Sequence, residues 1–172
     1  LHTVLASLVA GSFLVAGISA LLVLRGRSLA VARKTLPLAV MFGLVASVLV
    51  AFPVGHEHAK QVANTQPEKF AAIEGLYTSY ENGAPMVLFA LPFTRPPDLK
   101  AEIEIPKVLS WLAFGDLNHP VQGLQDFPPD RVPKGAELWL SFVSFHNMVV
   151  LGTYFIGILA LALFYIWRDE LL

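Results

Sequence analysis

Three long apolar stretches set the pattern of this chain. They run from Leu1 to about Leu24, from Leu36 to Val54 and from Leu138 to Trp167. About twenty apolar residues at ~1.5 Å rise each cross the hydrocarbon of a bilayer as one helix. Each stretch therefore predicts a membrane span, and the third carries no Lys, Arg, Asp or Glu. The first is rich in small residues (Ala6, Ser7, Ala10, Gly11, Ser12, Ala16, Gly17, Ser19, Ala20), which let helix backbones approach closely in lipid. Pro37 is expected in the first turn of the second span, where a missing N–H costs little.

The polar intervals orient the spans. Arg25, Arg27, Arg33 and Lys34 lie between the first two, with no acidic residue among them. The positive-inside rule puts that short connection in the cytoplasm. Arg168 then falls on the same side, and residues 55–137 fall outside. This outer segment is too long for a plain connector, so it should hold structure or function of its own.

Within it, Thr65-Gln66-Pro67-Glu68 reads as a helix start, with Thr65 as N-cap and Glu68 as its capping-box partner. Phe70, Ile73, Leu76, Tyr77 and Tyr80 follow at helical spacing. They predict a short amphipathic helix lying on the membrane and ended by Gly83-Ala84-Pro85. Met86 to Phe93 and Ala101 to Ile105 read as strands, and Pro106 to Gly115 as a second short helix. Asn118-His119-Pro120 and Phe127-Pro128-Pro129-Asp130 are turn sequences.

Composition narrows the function classes. Charged residues make up 15% of the 172 positions, below the ~25% of ordinary soluble domains, and the mean hydropathy is +0.61. A net charge of −1 gives no clustered basic surface for nucleic acid. With no cysteine, disulfides, thiolate metal sites and thiol nucleophiles are excluded. Leu1-His2-Thr3-Val4 enters apolar sequence without an initiator Met or a basic leader region, and a piece of a longer protein is expected.

Buried polar groups inside a span are expensive and usually face the protein interior for a reason. His146, Asn147 and Met148 lie about a third of the way into the third span. Counted from Arg168, Met148 sits ~30 Å above the inner boundary; counted from Arg25, His2 sits ~35 Å above it. An imidazole and a thioether at similar depth on different helices suit low-spin haem iron. A core-filling Met and a helix-end His fit the same spacing. His56-Glu57-His58 has metal-ligand residue types, but no third ligand is near, and a solvated turn after the second span is expected. No Ser-His-Asp order or phosphate loop emerges.

Several blocks occur in an order that resembles subunit I of the cytochrome bd quinol oxidases. They are His2-Thr3-Val4, Gln66-Pro67-Glu68-Lys69-Phe70-Ala71-Ala72-Ile73-Glu74, Ile105-Pro106, Pro120-Val121-Gln122-Gly123-Leu124 and Phe145-His146-Asn147-Met148. The resemblance covers essentially the whole chain, as the fifth to seventh transmembrane helices of that subunit. It implies His2 and Met148 as axial ligands of a low-spin haem b, and the outer segment as a quinol-binding loop. It also implies Lys69 and Glu74 as residues of quinol oxidation. Chemically, a carboxylate can accept a quinol proton and an ammonium can bind a quinol oxygen. Positions i and i+5 nevertheless lie about 140° apart on a helix, so spacing alone does not aim both at one ligand.

Two departures matter. Many members carry Arg where His146 stands, able to pair with a haem propionate; His146 could donate a similar hydrogen bond, act as a competing ligand or cap a polar patch. The loop also lacks the long insertion of some members. The residues that would hold a second haem b or haem d lie outside this chain, so oxygen reduction is not assigned to it.

The expected fold is an all-α membrane protein, part of a larger helical bundle. Residues 1–54 form two transmembrane helices, 55–137 an extracytoplasmic quinol-binding loop and 138–172 a third transmembrane helix. The expected function is the electron-input segment of a quinol:oxygen oxidoreductase in the bacterial inner membrane, with the loop on the periplasmic side. Expected partners are membrane lipid, quinol, the remainder of subunit I, subunit II and small single-span subunits. The alternative is a non-redox membrane anchor or transporter fragment, whose intramembrane His is a polar contact between helices.

Overall fold

The computed structural model describes residues 1–91 and 100–168, and the last residues of the Met86–Phe93 strand reading fall outside them. The protein is mostly helical. In chain order come α1 (His2–Leu24), α2 (Leu29–Leu49), a π-helical stretch Val50–Gly55, α3 (His56–Thr65) and α4 (Pro67–Glu74). Strands β1 (Met86–Leu91) and β2 (Lys100–Ile105) follow, then α5 (Val108–Phe114), a 3₁₀ turn Leu124–Asp126 and α6 (Ala136–Trp167). Three helical stretches are long and apolar enough to cross a membrane: His2–Leu24, Leu29–Thr65 and Ala136–Trp167. The residues divide into two units, one of residues 1–55 with those from 150 onward, the other His56–Val149.

In the first unit the apolar periodicity of α1 and α2 becomes a seam. Leu36, Val40 and Leu159 are buried together, and Phe13, Ala16, Leu44, Leu163 and Ile166 pack around them. The Phe13 and Phe155 rings meet at 4.7 Å between centroids. One polar contact crosses the seam: the Ser19 and Thr35 hydroxyls are 2.6 Å apart, with Ser19 2% exposed. Leu8, Leu14 and Ile18 point outward and are exposed, an arrangement suited to lipid or further helices.

The second helix corrects three expectations. It begins at Leu29, so Arg33 and Lys34 are helical and Pro37 lies in the interior, where it removes the bond that the Arg33 carbonyl would accept. Pro53 and Gly55 do not end the helix. The wider Val50–Gly55 stretch absorbs them, as π turns do when an extra residue must fit. The chain then continues as α3, so His56-Glu57-His58 opens a helix and is not a turn. At i and i+2 on a helix these two imidazoles diverge.

The second unit is built on alanines. Ala63, Ala71, Ala72, Ala84 and Ala113 share a core with Phe70, Leu76, Leu109, Val121 and Leu124. Side chains this small let α3, α4 and α5 pack closely. Thr65 does not cap α4: its hydroxyl donates to Gln61 O of α3 at 2.7 Å, and Gln66 precedes the helix without a side-chain cap bond. α4 also ends earlier than the periodicity suggests, at Gly75 (φ 72°), whose N–H donates to Ala71 O. A left-handed glycine here closes the helix in the usual way. Because Phe70 and Leu76 are buried in the unit's own core, with Ile73 and Tyr77 packed against it, the face expected to lie on the membrane is an internal one.

After Gly75 the chain runs alongside residues 121–125. Leu124 N–H donates to Leu76 O at 2.9 Å, Gln125 N–H to Tyr77 O at 3.1 Å, and Tyr80 and Val121 exchange two bonds of 2.9 Å. A Cβ at Gly123 would stand 2.3 Å from the Thr78 carbonyl carbon, so only glycine fits this approach. Ser110, fully buried, accepts from Ala84 N–H and donates to His119 O, both at 2.8 Å. β1 and β2 form an antiparallel pair with an irregular register.

Candidate functional site

Residues of the Gln66–Glu74 block lie in two contrasting environments. Lys69 is exposed, whereas Glu74 is 4% exposed. Loss of hydration destabilises a carboxylate, so burial pushes Glu74 up from 4.5 to about 8. Its Oε2 is buried without a hydrogen-bond partner. A buried acid in that condition holds its proton near neutrality and exchanges it in the range where a general base is useful. Burial also pushes the half-buried Tyr77 phenol above its ordinary value. An ion pair joins Lys60 to Glu57 at 3.5 Å but none joins Lys69 to Glu74, so those two do not neutralise each other.

An open cleft of about 460 Å³ adjoins the same helix. Phe70, Tyr80 and Phe114 give it aromatic walls, and Ser79, Gln122 and Asp126 give it polar groups. Neither Lys69 nor Glu74 lines it; Phe70, which follows Lys69 on α4, does. The ring of Phe114 meets Phe70 edge-on at 6.4 Å and stacks on His119 at 3.9 Å. Ser79 accepts from Gly123 N–H at 2.8 Å and donates to the Asp126 carboxylate. Of these, Phe70 and Tyr80 read as part of an amphipathic helix and Gln122 as part of a family-like block, whereas Ser79, Phe114 and Asp126 take no site role from the sequence. The Pro120–Leu124 block was the available signal, and it carried no role there.

On α6, His146 is half-buried between Phe142, 4.0 Å away between ring centroids, and Phe145 at 5.6 Å. Its Nδ1 lies 2.9 Å from Phe142 O and its Nε2 3.1 Å from Val87 O. Both ring nitrogens therefore face backbone carbonyls. Met148, two residues on, is 49% exposed. His2 opens α1 in the other unit and is partly exposed. As a donor set, an imidazole and a thioether fit low-spin haem iron, and a Met half-exposed on an apolar helix is one that its own unit does not pack away. Among the described residues no three His, Asp or Glu side chains gather as a metal site.

A sequence profile of cytochrome bd terminal oxidase subunit I matches residues 1–172. This chain belongs to the cytochrome bd subunit I family. It is 36% identical over 136 residues to a Bacillus subtilis protein provisionally named cytochrome bd menaquinol oxidase subunit I, covering 77% of this chain and 30% of that one. It is 33% identical over 142 residues to the cytochrome bd-II ubiquinol oxidase subunit 1 of Escherichia coli, covering 81% and 27%. The solved bd oxidase of Geobacillus thermodenitrificans superposes with a TM-score of 0.82 at 31% identity, over 94% of this chain and 36% of that one. The chain thus spans about a third or less of the length of these relatives. Within the cytochrome bd family it is a helical piece with three candidate spans, and the resemblance read from its blocks holds along its full length.

Proposed function

We propose that this chain is the electron-input segment of a bacterial membrane quinol oxidase, oxidising quinol at residues 55–137 and passing electrons to a low-spin haem b. The observation that carries this reading is Glu74, a buried carboxyl with an unpartnered oxygen on the helix that bears the most family-specific block. Quinol oxidation releases two protons and two electrons, so it needs a base beside the bound ring. Glu74 accepts a proton when ionised, and its raised value of about 8 makes that proton easy to hold and to release. Lys69, at the exposed side of α4 about 7.5 Å of helix rise away, holds a quinol oxygen by donating a hydrogen bond. The cleft beside Phe70 and Phe114 offers apolar walls for the quinol tail.

His2 and Met148 would hold the haem b, which supplies a one-electron acceptor when bound. Their two neutral donors favour a low-spin iron of raised potential. Oxygen reduction belongs to haem held by the remainder of subunit I, which joins this chain together with subunit II and small single-span subunits. Arg25 and Arg27 in the α1–α2 connection, with Arg33 and Lys34 at the start of α2, support a cytoplasmic side for that end; on this reading residues 55–137 face the periplasm and quinol protons leave there. The test is steady-state quinol oxidation by the intact complex carrying Glu74→Gln, with haem content read from a reduced-minus-oxidised spectrum. Wild-type turnover at full haem content would end the assignment.

A further inference from the structure

We infer that His146 is a positioning residue: its Nε2–H clasps the Val87 carbonyl and holds the β1–β2 hairpin against α6, two residues from Met148. The contact spans 59 positions of sequence at 3.1 Å. Around it the second unit has a small apolar joint of its own, in which Val87 (5% exposed) and Phe142 (7% exposed) are buried together against Val143. The Phe142 ring also packs against the imidazole, tilted by 32° at 4.0 Å between centroids. The ring is thus held on its face by Phe142 while its far nitrogen reaches across to the strand.

The hairpin is shaped for this contact. The pairs Val87–Glu104 and Phe89–Ile103 leave Leu88 as an extra residue on β1. Such a bulge turns neighbouring backbone groups away from the ladder. A two-stranded pair has little stability by itself, so an additional hydrogen bond from a long helix fixes where it lies. With Nδ1 turned to Phe142 O of its own helix at 2.9 Å, both ring nitrogens are directed at backbone carbonyls. A carbonyl oxygen only accepts, so the clasp requires hydrogen on Nε2, and Nδ1 bonds Phe142 O only where it carries hydrogen as well. It stands independently of the quinol reading; only the spectral control below rests on Met148 as a haem ligand.

His146→Asn and His146→Gln separate the two nitrogens. Asn places its amide near Nδ1 but is too short for Val87, whereas Gln reaches the Nε2 position. Hydrogen exchange of the segments containing residues 86–88 and 103–105, followed by mass spectrometry on the intact complex, reads the clasp directly. Exchange is expected to rise about fivefold in His146→Asn, the equivalent of one ordinary hydrogen bond, and to return to near wild type in His146→Gln. The low-spin haem spectrum is expected to persist in both. Unchanged exchange in His146→Asn overturns the clasp, and an equal rise in both variants assigns the hold to ring stacking on Phe142. Loss of the low-spin spectrum in both variants with hairpin exchange unchanged makes His146 a ligand instead. In the unsubstituted complex, ¹⁵N shifts showing Nε2 without its hydrogen would overturn it without any variant.

Discussion

Lys69 and Glu74 share one short helix yet differ in the property that matters most for their chemistry: Lys69 faces solvent and Glu74 is 4% exposed. The same two residues would form an unremarkable surface pair if both were hydrated, worth about 0–1 kcal/mol. Burial of one alone turns it into an acid with an elevated pKa and leaves the other hydrated at the surface.

Removing each group should therefore produce different kinetic effects. Glu74→Gln keeps shape and removes the base, so turnover of quinol by the intact complex should fall by ~10²-fold or more. Lys69→Met removes the donor proposed for the bound quinol, so it should raise the apparent KM more than it lowers kcat. Wild-type values for both variants would return the pair to an ordinary role.

The pH dependence follows from the raised Glu74 value. If the ionised form is the base, kcat/KM should climb roughly tenfold per unit below pH 8 and level off above it. Glu74→Gln should flatten that limb. The folded protein holds a proton that the unfolded chain gives up between about 4.5 and 8. Stability is thus greatest below this window and declines as pH rises through it. Thermal midpoints of the intact complex should fall across pH 5–8 less steeply in Glu74→Gln than in wild type, and identical slopes would contradict the burial argument.

For the haem, Met148→Leu conserves volume and deletes the sulfur. Protein yield should be retained, while the low-spin signal in a reduced-minus-oxidised spectrum disappears or becomes high-spin. His2→Ala should give the same change or lose the haem altogether. An unaltered spectrum in both variants would move the search for ligands to His146.

Orientation can be read chemically. Asp130 is exposed, and unlike Asp126 it does not hold Ser79, so Asp130→Cys should leave the cleft intact. In a chain without other cysteines, that thiol should react with an impermeant maleimide from the periplasmic side. Labelling only after the inner face is opened would reverse the topology and the side of proton release.

What the sequence determined by itself were the features written in consecutive residues. Uninterrupted apolar runs specified α1 and α6 nearly to the residue, because a long stretch without charge has one stable form in lipid. Alternation in Ala101–Ile105 and the Pro67 start of α4 were legible for the same local reason. The second span read as ending at Val54, but Pro53 and Gly55 sit inside a continuous helical stretch, since a π turn can absorb what an α turn cannot. Thr65 read as a cap because capping is recognised by spacing, yet α3 already used its hydroxyl. The burial of Glu74 depends on the core that α3, α5 and residues 121–124 assemble around α4. The clasp from His146 depends on a strand 59 residues away. Local pattern fixes which segments become helices; desolvation and long-range hydrogen bonds exist only once distant segments meet, and so only the tertiary structure decided them.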